Sequence, residues 1–521
     1  MEYLKEMARI VTSLNSNATT FSGEKNGKKD GDTRLDELIK GIIEGKYQTD
    51  EDASVSLYNS KEKDTRYRKL KTFAKRKLLN SILLLDLETP GISKGHIRAM
   101  KDYVSIWTLA VCGARNTAVN YSEKSLRFCL AMQYYDIAKY HSKYLRGVYG
   151  ITGNLKQFEV QNDLFKLLNN ILQAEDLASE YYNRIIIRYI NTTTVQKEIS
   201  EVSLKYGKEL EKLSREFNSY IVEYYSYRLL GFAYDIKFDH LHALNIYKKA
   251  DKFLENNEIY KTQTRSGEIA LKRMHCYMQL RDYDNGNVYA QKCLDLFPPG
   301  RYNWYSFIEL YFLLSMYTKT YTEAAKIFSM ATQNPGFNNL TKDRIQKWKI
   351  FEAYIYYTFE HLSFDTGLIK VKKGNKFKLY KFLNEVSQLE KDKEGYNISI
   401  NIIRILWLLE KNEFDKIIDM AESLKVYRSR YLKDEDHFRS NLFVKMLLIM
   451  EKKSFDHDQT KLATAKYYDA LINHNQDYEA RVTTLEVIPF DELWLLVLEK
   501  LKQKDRSTSN SSSEGKRSLI S

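Results

Sequence analysis

The sequence predicts an all-α protein: a solenoid of stacked helical hairpins, preceded by a small N-terminal helical block. Three observations carry that expectation. Helix breakers are scarce, with 5 prolines and 21 glycines in 521 residues, which favours long helices joined by short turns. From about residue 95 to 480, apolar and aromatic residues recur three and four positions apart, as on one face of a helix. Between Tyr227 and Ala250 one helical hairpin is written out almost completely.

Taken in order, residues 1–11 fit a short amphipathic helix, and residues 12–34 are polar and rich in Gly, Ser and Asn. Residues 1–34 therefore read as a helix on a flexible linker, free to dock on the body or on a partner. Residues 35–90 read as a small basic helical block. Leu35, Leu38, Ile39, Ile42 and Ile43 share a helical face. Thr49-Asp50-Glu51-Asp52 signals a capped helix start, and a polar turn at Asn59–Asp64 precedes a helix from about Thr65 to Leu85. Pro90-Gly91 closes the block.

Residues 91–502 form the predicted solenoid. Its best hairpin reads Tyr227, Leu230-Gly231, Tyr234, then Ala243, Tyr247 and Ala250. That order resembles the tetratricopeptide (TPR) repeat, W-x₂-L-G-x₂-Y…A-x₃-F, with tyrosines in the aromatic places. Partial matches follow at Tyr277–Pro298, at Tyr305–Tyr317 with Ala324, Phe328 and Ala331, and at Trp407-Leu408-Leu409 with Ile417 and Ala421. Matching small residues at 243, 286 and 324 are 43 and 38 apart, against about 34 in a standard TPR unit. The resemblance implies degenerate TPR-like hairpins that stack into a superhelix with a binding groove. Pro489 precedes an apolar helix over Asp491–Leu501, with Asp491 as expected N-cap and Phe490 as staple, placed to cap the array. Residues 503–521, rich in Ser and Lys, read as a disordered tail.

Composition excludes several classes. MEYLKEMARIV does not read as a secretory leader, and the apolar run Leu493–Leu498 reads as too short to span a bilayer. A cytoplasmic protein without a membrane partner is the expectation. Cys112, Cys129, Cys276 and Cys293 lack C-x-x-C spacing and read as buried free thiols. No P-loop, G-x-G-x-x-G, G-x-S-x-G or H-E-x-x-H motif occurs, so no enzyme, cofactor or catalytic residue is indicated. His240 and His242, at i and i+2 beside Asp239, do not share a helix face. They read as capping and turn packing, and no metal site is expected. The 40 tyrosines read as inter-helix packing with hydroxyls reaching water.

Two surfaces remain as binding candidates. Arg66, Arg68, Lys69, Lys71, Lys75, Arg76 and Lys77 make residues 61–79 the most basic stretch, in a chain of formal net charge +13. With the preceding helix they suggest a helix-turn-helix-like element whose second helix neutralises phosphates, or a basic face for an acidic partner. A solvated helix face is the plain alternative. In the best hairpin, Tyr224, Tyr225, Arg228 and Asp235 fall where the TPR resemblance implies groove contacts; packing on the next hairpin is the alternative there. The leading expectation is a non-catalytic scaffold that binds a protein partner within a larger complex. Two alternatives place nucleic acid on the 61–77 helix: a regulator with a TPR-like sensor body, and an accessory subunit of a nucleic-acid machine of phage-defence or mobile-element type.

Overall fold

The computed structural model describes residues 1–14, 34–85, 92–191, 196–361, 377–386, 396–432, 438–473 and 486–517. Those residues contain twenty-two α-helices and no strand. None of these helices is long and apolar enough to cross a membrane. The chain divides into two compact units, Met1–Arg98 and Ala99–Ser521.

The first unit contains α1 (Glu2–Leu14), α2 (Arg34–Ile43), α3 (Asp50–Tyr58), α4 (Thr65–Leu84) and the start of α5 (Ile92–Val111). Its core includes Leu4, Ala8 and Val11 of α1 together with Leu38, Ile39, Ile42, Tyr67, Ala74 and Leu78. The N-terminal helix is thus docked on α2 and α4. The linker expected to follow it lies, from residue 15 to 33, outside the described residues. Thr49 caps α3 in a reciprocal box with Asp52, as its spacing predicts. Asn59 then stops the helix in the left-handed region, φ 50°. Asp50 ties α3 to α4, accepting from the Tyr67 hydroxyl at 2.7 Å and pairing with Lys71 at 2.7 Å.

The second unit is an all-α solenoid. It runs through α6 (Arg115–Ala131), α7 (Tyr135–Ile151), α8 (Leu155–Asn191), α9 (Gln196–Phe217), α10 (Tyr220–Asp235), α11 (His240–Asn256), α12 (Gln263–Gln279) and α13 (Tyr283–Leu296). It continues through α14 (Tyr302–Tyr317), α15 (Tyr321–Thr332), α16 (Lys342–His361), α17 (Leu379–Glu385), α18 (Tyr396–Glu410), α19 (Phe414–Tyr431), α20 (Phe438–Lys452), α21 (His457–Asn473) and α22 (Phe490–Arg517). Each helix packs on its neighbour in sequence over most of the array, and alternate helices also meet: α8 on α10, α12 on α14, α16 on α18, α20 on α22. The core from Ala270 to Leu501 is continuous and aromatic, with Phe312 stacked on Phe351 at 4.3 Å and Trp348 fully buried. Each such side chain contributes roughly 1.5–3 kcal/mol by leaving water.

One joint recurs. The N–H of Ala114, Tyr134, Asn154, Asp239, Asp282, Thr320, Glu413 and Phe455 bonds the carbonyl five residues back, at 2.8–3.1 Å. Each of these turns holds a residue at positive φ: Gly113, Gln133, Gly153, Phe238, Arg281, Lys319, Asn412 and Ser454 respectively. This is the backbone closure that satisfies a helix's last carbonyls. It leaves three-residue or four-residue connections, so successive helices run back on one another.

Several expectations need correction. Asp491 is not a helix cap: α22 begins one residue earlier, and the Asp491 carboxylate pairs with Arg281 at 2.7 Å and Arg439 at 3.2 Å. Helix α22 also passes residue 502, where a disordered tail was expected, and continues to Arg517. Lys504 donates to the Phe455 carbonyl and the Asp505 carboxylate accepts from the His457 N–H, which holds the helix past that point. Residues 518–521 lie outside the described residues. Cys112 is exposed, whereas Cys129, Cys276 and Cys293 are buried and all are free. The tyrosines go deeper than expected. Tyr47, Tyr67, Tyr247, Tyr305, Tyr354 and Tyr357 are fully buried, and several hydroxyls find protein acceptors in place of water.

Candidate functional site

The basic stretch lies on α4, whose inward face carries Tyr67, Ala74 and Leu78. The seven candidate cations divide. Arg66 forks onto Asp64, the N-cap, at 2.8 Å; Lys71 pairs with Asp50 and Lys77 with Asp36, each at 2.7 Å. Those three serve the block's own structure. Arg68, Lys69, Lys75 and Arg76 are exposed and belong to one outward face, because positions seven apart nearly coincide on a helix. Lys75 stands 5.6 Å over the Tyr3 ring. Phe73, 61% exposed, shares the exposed side.

In the solenoid, Tyr224, Tyr225 and Arg228 belong to α10 and form the centre of an arginine–tyrosine cluster. The Arg228 guanidinium lies 3.6 Å from the Tyr182 ring of α8 and 5.2 Å from Tyr225. Its Nε donates to Glu268 of α12 at 2.8 Å, and the Tyr224 hydroxyl donates to the same carboxylate at 3.1 Å. Arg265 covers Tyr260 at 3.5 Å. Burial raises the Tyr224 and Tyr260 hydroxyls far above the ordinary phenol range, so both stay neutral donors. Tyr224 is buried, while Tyr225 and Arg228 are half-buried. The cluster therefore bonds three alternate helices, α8, α10 and α12, together.

Asp235 closes α10 and is buried. Its Oδ2 accepts from the Tyr247 hydroxyl at 2.8 Å and faces the Lys272 ammonium at 3.6 Å. Its Oδ1 faces Cys276 Sγ at 3.6 Å, His240 Nδ1 at 3.7 Å and His275 Nδ1 at 3.9 Å. Asp235 is thus an internal node between α10, α11 and α12, not an outward groove residue. His242, expected to pack in the turn, does so: Asp239 accepts from its N–H and stands 2.8 Å from its Nδ1. His275 was not singled out in the sequence. It lies in the following hairpin, and no local spacing links it to Asp235.

Ion pairing between alternate helices continues along the array. Glu309 of α14 meets Lys347 at 3.1 Å and Arg344 at 3.6 Å on α16. Between α12 and α14 a cleft of about 500 Å³ opens, lined by Gln263, Phe297, Arg301, Tyr302 and Trp304. Tyr302 is 71% exposed there.

No protein-family model matches this sequence, and none of the curated protein sequences is significantly similar to it.

Proposed function

We propose that this chain is a non-catalytic scaffold of TPR-like hairpins that binds a protein partner along its first helices, within a larger complex. The observation that supports this reading is the stacking itself. Alternate helices α8 and α10, α12 and α14, and α16 and α18 meet in a row, which lays ligand-facing side chains along an extended surface. Several charges on that row pair with one another, as in Arg228–Glu268 and Glu309–Lys347. The cleft with Arg301 and exposed Tyr302 offers a cation for acidic side chains and an apolar ring for the segment that carries them. The test is affinity capture with the full chain, divided into samples with and without nuclease, repeated with Arg301→Ala/Tyr302→Ala. A protein that survives nuclease and weakens with the double variant supports the scaffold. Recovery of nuclease-sensitive material alone refutes it.

One observation favours a second reading, nucleic-acid binding by the first unit. Arg68, Lys69, Lys75 and Arg76 stand together on the outward face of α4. If they contact phosphates, changing all four to alanine lowers the slope of log affinity against log salt by about 3 to 4. An unchanged slope removes this reading.

A further inference from the structure

We propose that Asp235, His240 and His275 form a site for a divalent transition-metal ion of the zinc class, which pins the α10–α11 hairpin to α12. One ligand atom from each residue lies within 4.8 Å of the other two. From Asp235 Oδ1 the distances are 3.7 Å to His240 Nδ1 and 3.9 Å to His275 Nδ1. Both are too long for hydrogen bonds. They are close to the edge of a tetrahedron: bonds of about 2.0–2.2 Å place ligand atoms roughly 3.3–3.6 Å apart. Along these two edges a contraction of a few tenths of an ångström reaches that spacing, and the third, between the two imidazoles, lies within 4.8 Å.

A second observation points the same way. His240 is 9% exposed, and its Nδ1 is buried without a hydrogen-bond partner. Such a nitrogen is costly unless something occupies its lone pair. The two carboxylate oxygens also divide their work. Oδ2 is held by the Tyr247 hydroxyl and Lys272, while Oδ1 is turned towards the imidazoles and Cys276 Sγ. Outer partners of this kind orient a metal-binding carboxylate. The side-chain amide nitrogen of Gln279 stands 3.4 Å from His275 Nε2. Turning that amide over presents its oxygen to an Nε2–H and leaves Nδ1 for the metal.

The same surroundings set the class of ion. Lys272 places a positive charge on the far oxygen, and only one carboxylate is present. Hard cations such as Mg²⁺ and Ca²⁺ need several oxygen ligands. Ions that bind imidazole strongly, such as Zn²⁺ or Co²⁺, suit two nitrogens and one oxygen. The His275 side chain is 34% exposed, which gives ions an entry path and leaves room for water as a fourth ligand.

The test uses the full chain without added histidines, stripped by a chelator and titrated with Co²⁺, then with Zn²⁺ in competition. The expected result is one equivalent of Co²⁺ with the intense visible bands of a tetrahedral site, displaced by Zn²⁺. His240→Gln and His275→Gln should each weaken binding by at least about 10-fold, while His242→Gln leaves it unchanged. Loss of binding in His242→Gln alone would place the ion on the exposed Asp239–His242 pair and overturn the proposal. So would failure of the wild-type chain to develop the bands, an outcome that does not depend on how any variant folds. Circular dichroism of the ion-free variants separates lost ligation from lost structure.

Discussion

Gly231→Ala tests whether the recognisable hairpin is held as described. Gly231 lies in the C-terminal half of α10, against the ring of Tyr247 from α11. A Cβ added there would collide with Tyr247 Cε1, and would stand 2.6 Å from Cζ and 2.9 Å from the hydroxyl oxygen. The ring cannot simply swing aside, because its hydroxyl donates to the buried Asp235 carboxylate. Overpacking costs about 1–3 kcal/mol. Losing a hydrogen bond to a charged acceptor costs about 1.5–3 kcal/mol more. Alanine returns about 1 kcal/mol through its better helix propensity. The expected net destabilisation is about 2–4 kcal/mol, concentrated in α10 and α11. Hydrogen exchange read by mass spectrometry on peptides from 220–256 measures it locally. Tyr247→Phe in the same background should recover only part of this, because the ring carbons Cε1 and Cζ still meet the new methyl. Unchanged or greater protection in Gly231→Ala would refute the close contact and with it the reason for glycine in this motif.

His141 gives a pH test. Its ring nitrogens lie 3.0 Å from the Ser122 hydroxyl and 2.9 Å from that of Ser125, and burial holds it down at about 4 against an ordinary 6.5. The unfolded chain therefore binds more protons between those values, so this contribution is full above pH 6.5 and is lost as pH falls towards 4. It amounts to at most about 3 kcal/mol. Thermal midpoints of wild type and His141→Gln over pH 4–7.5 should diverge accordingly, and parallel curves would contradict the buried neutral imidazole. Arg439→Met addresses the C-terminal end, where Arg439 bonds Glu486 at 2.8 and 3.1 Å and Asp491 at 3.2 Å. Leaving Glu486 buried without this partner should cost about 3–5 kcal/mol in urea unfolding; a loss below about 1 kcal/mol would show that the network is slack.

Sequence reading reached the helices because periodicity and breakers are local. The 230–250 hairpin was legible because a small residue and an aromatic ring meet at Gly231 and Tyr247, and that contact forces residue types at fixed spacing. The capping box at Thr49 was legible for the same reason. What escaped depends on pairs distant in sequence. The Arg228 cluster joins Tyr182, Tyr225 and Glu268, which are on three different helices. The Asp235 node recruits His275 forty residues on. Asp491 looked like a cap because its local context is that of a helix start, yet Arg281 lies 2.7 Å away from a hairpin two hundred residues earlier. On α4, composition showed seven cations, and only tertiary contacts separate the three that pair from the four that face outward.

The recurring joint has a consequence for how such a chain changes over generations. Its closing bond uses only main-chain atoms, and the residue at positive φ is Gly, Gln, Phe, Arg, Lys, Asn or Ser in different turns. Each non-glycine there accepts a local cost of about 1–2 kcal/mol, which no particular side chain is required to meet. Ala114, Tyr134 and Asn154 complete three such turns at twenty-residue intervals. A junction indifferent to side chains lets whole helices be duplicated, deleted or exchanged with their neighbours' ends intact. Ancestry in this array would then be recorded in the rhythm of its turns, while the letters of the sequence drift freely between them.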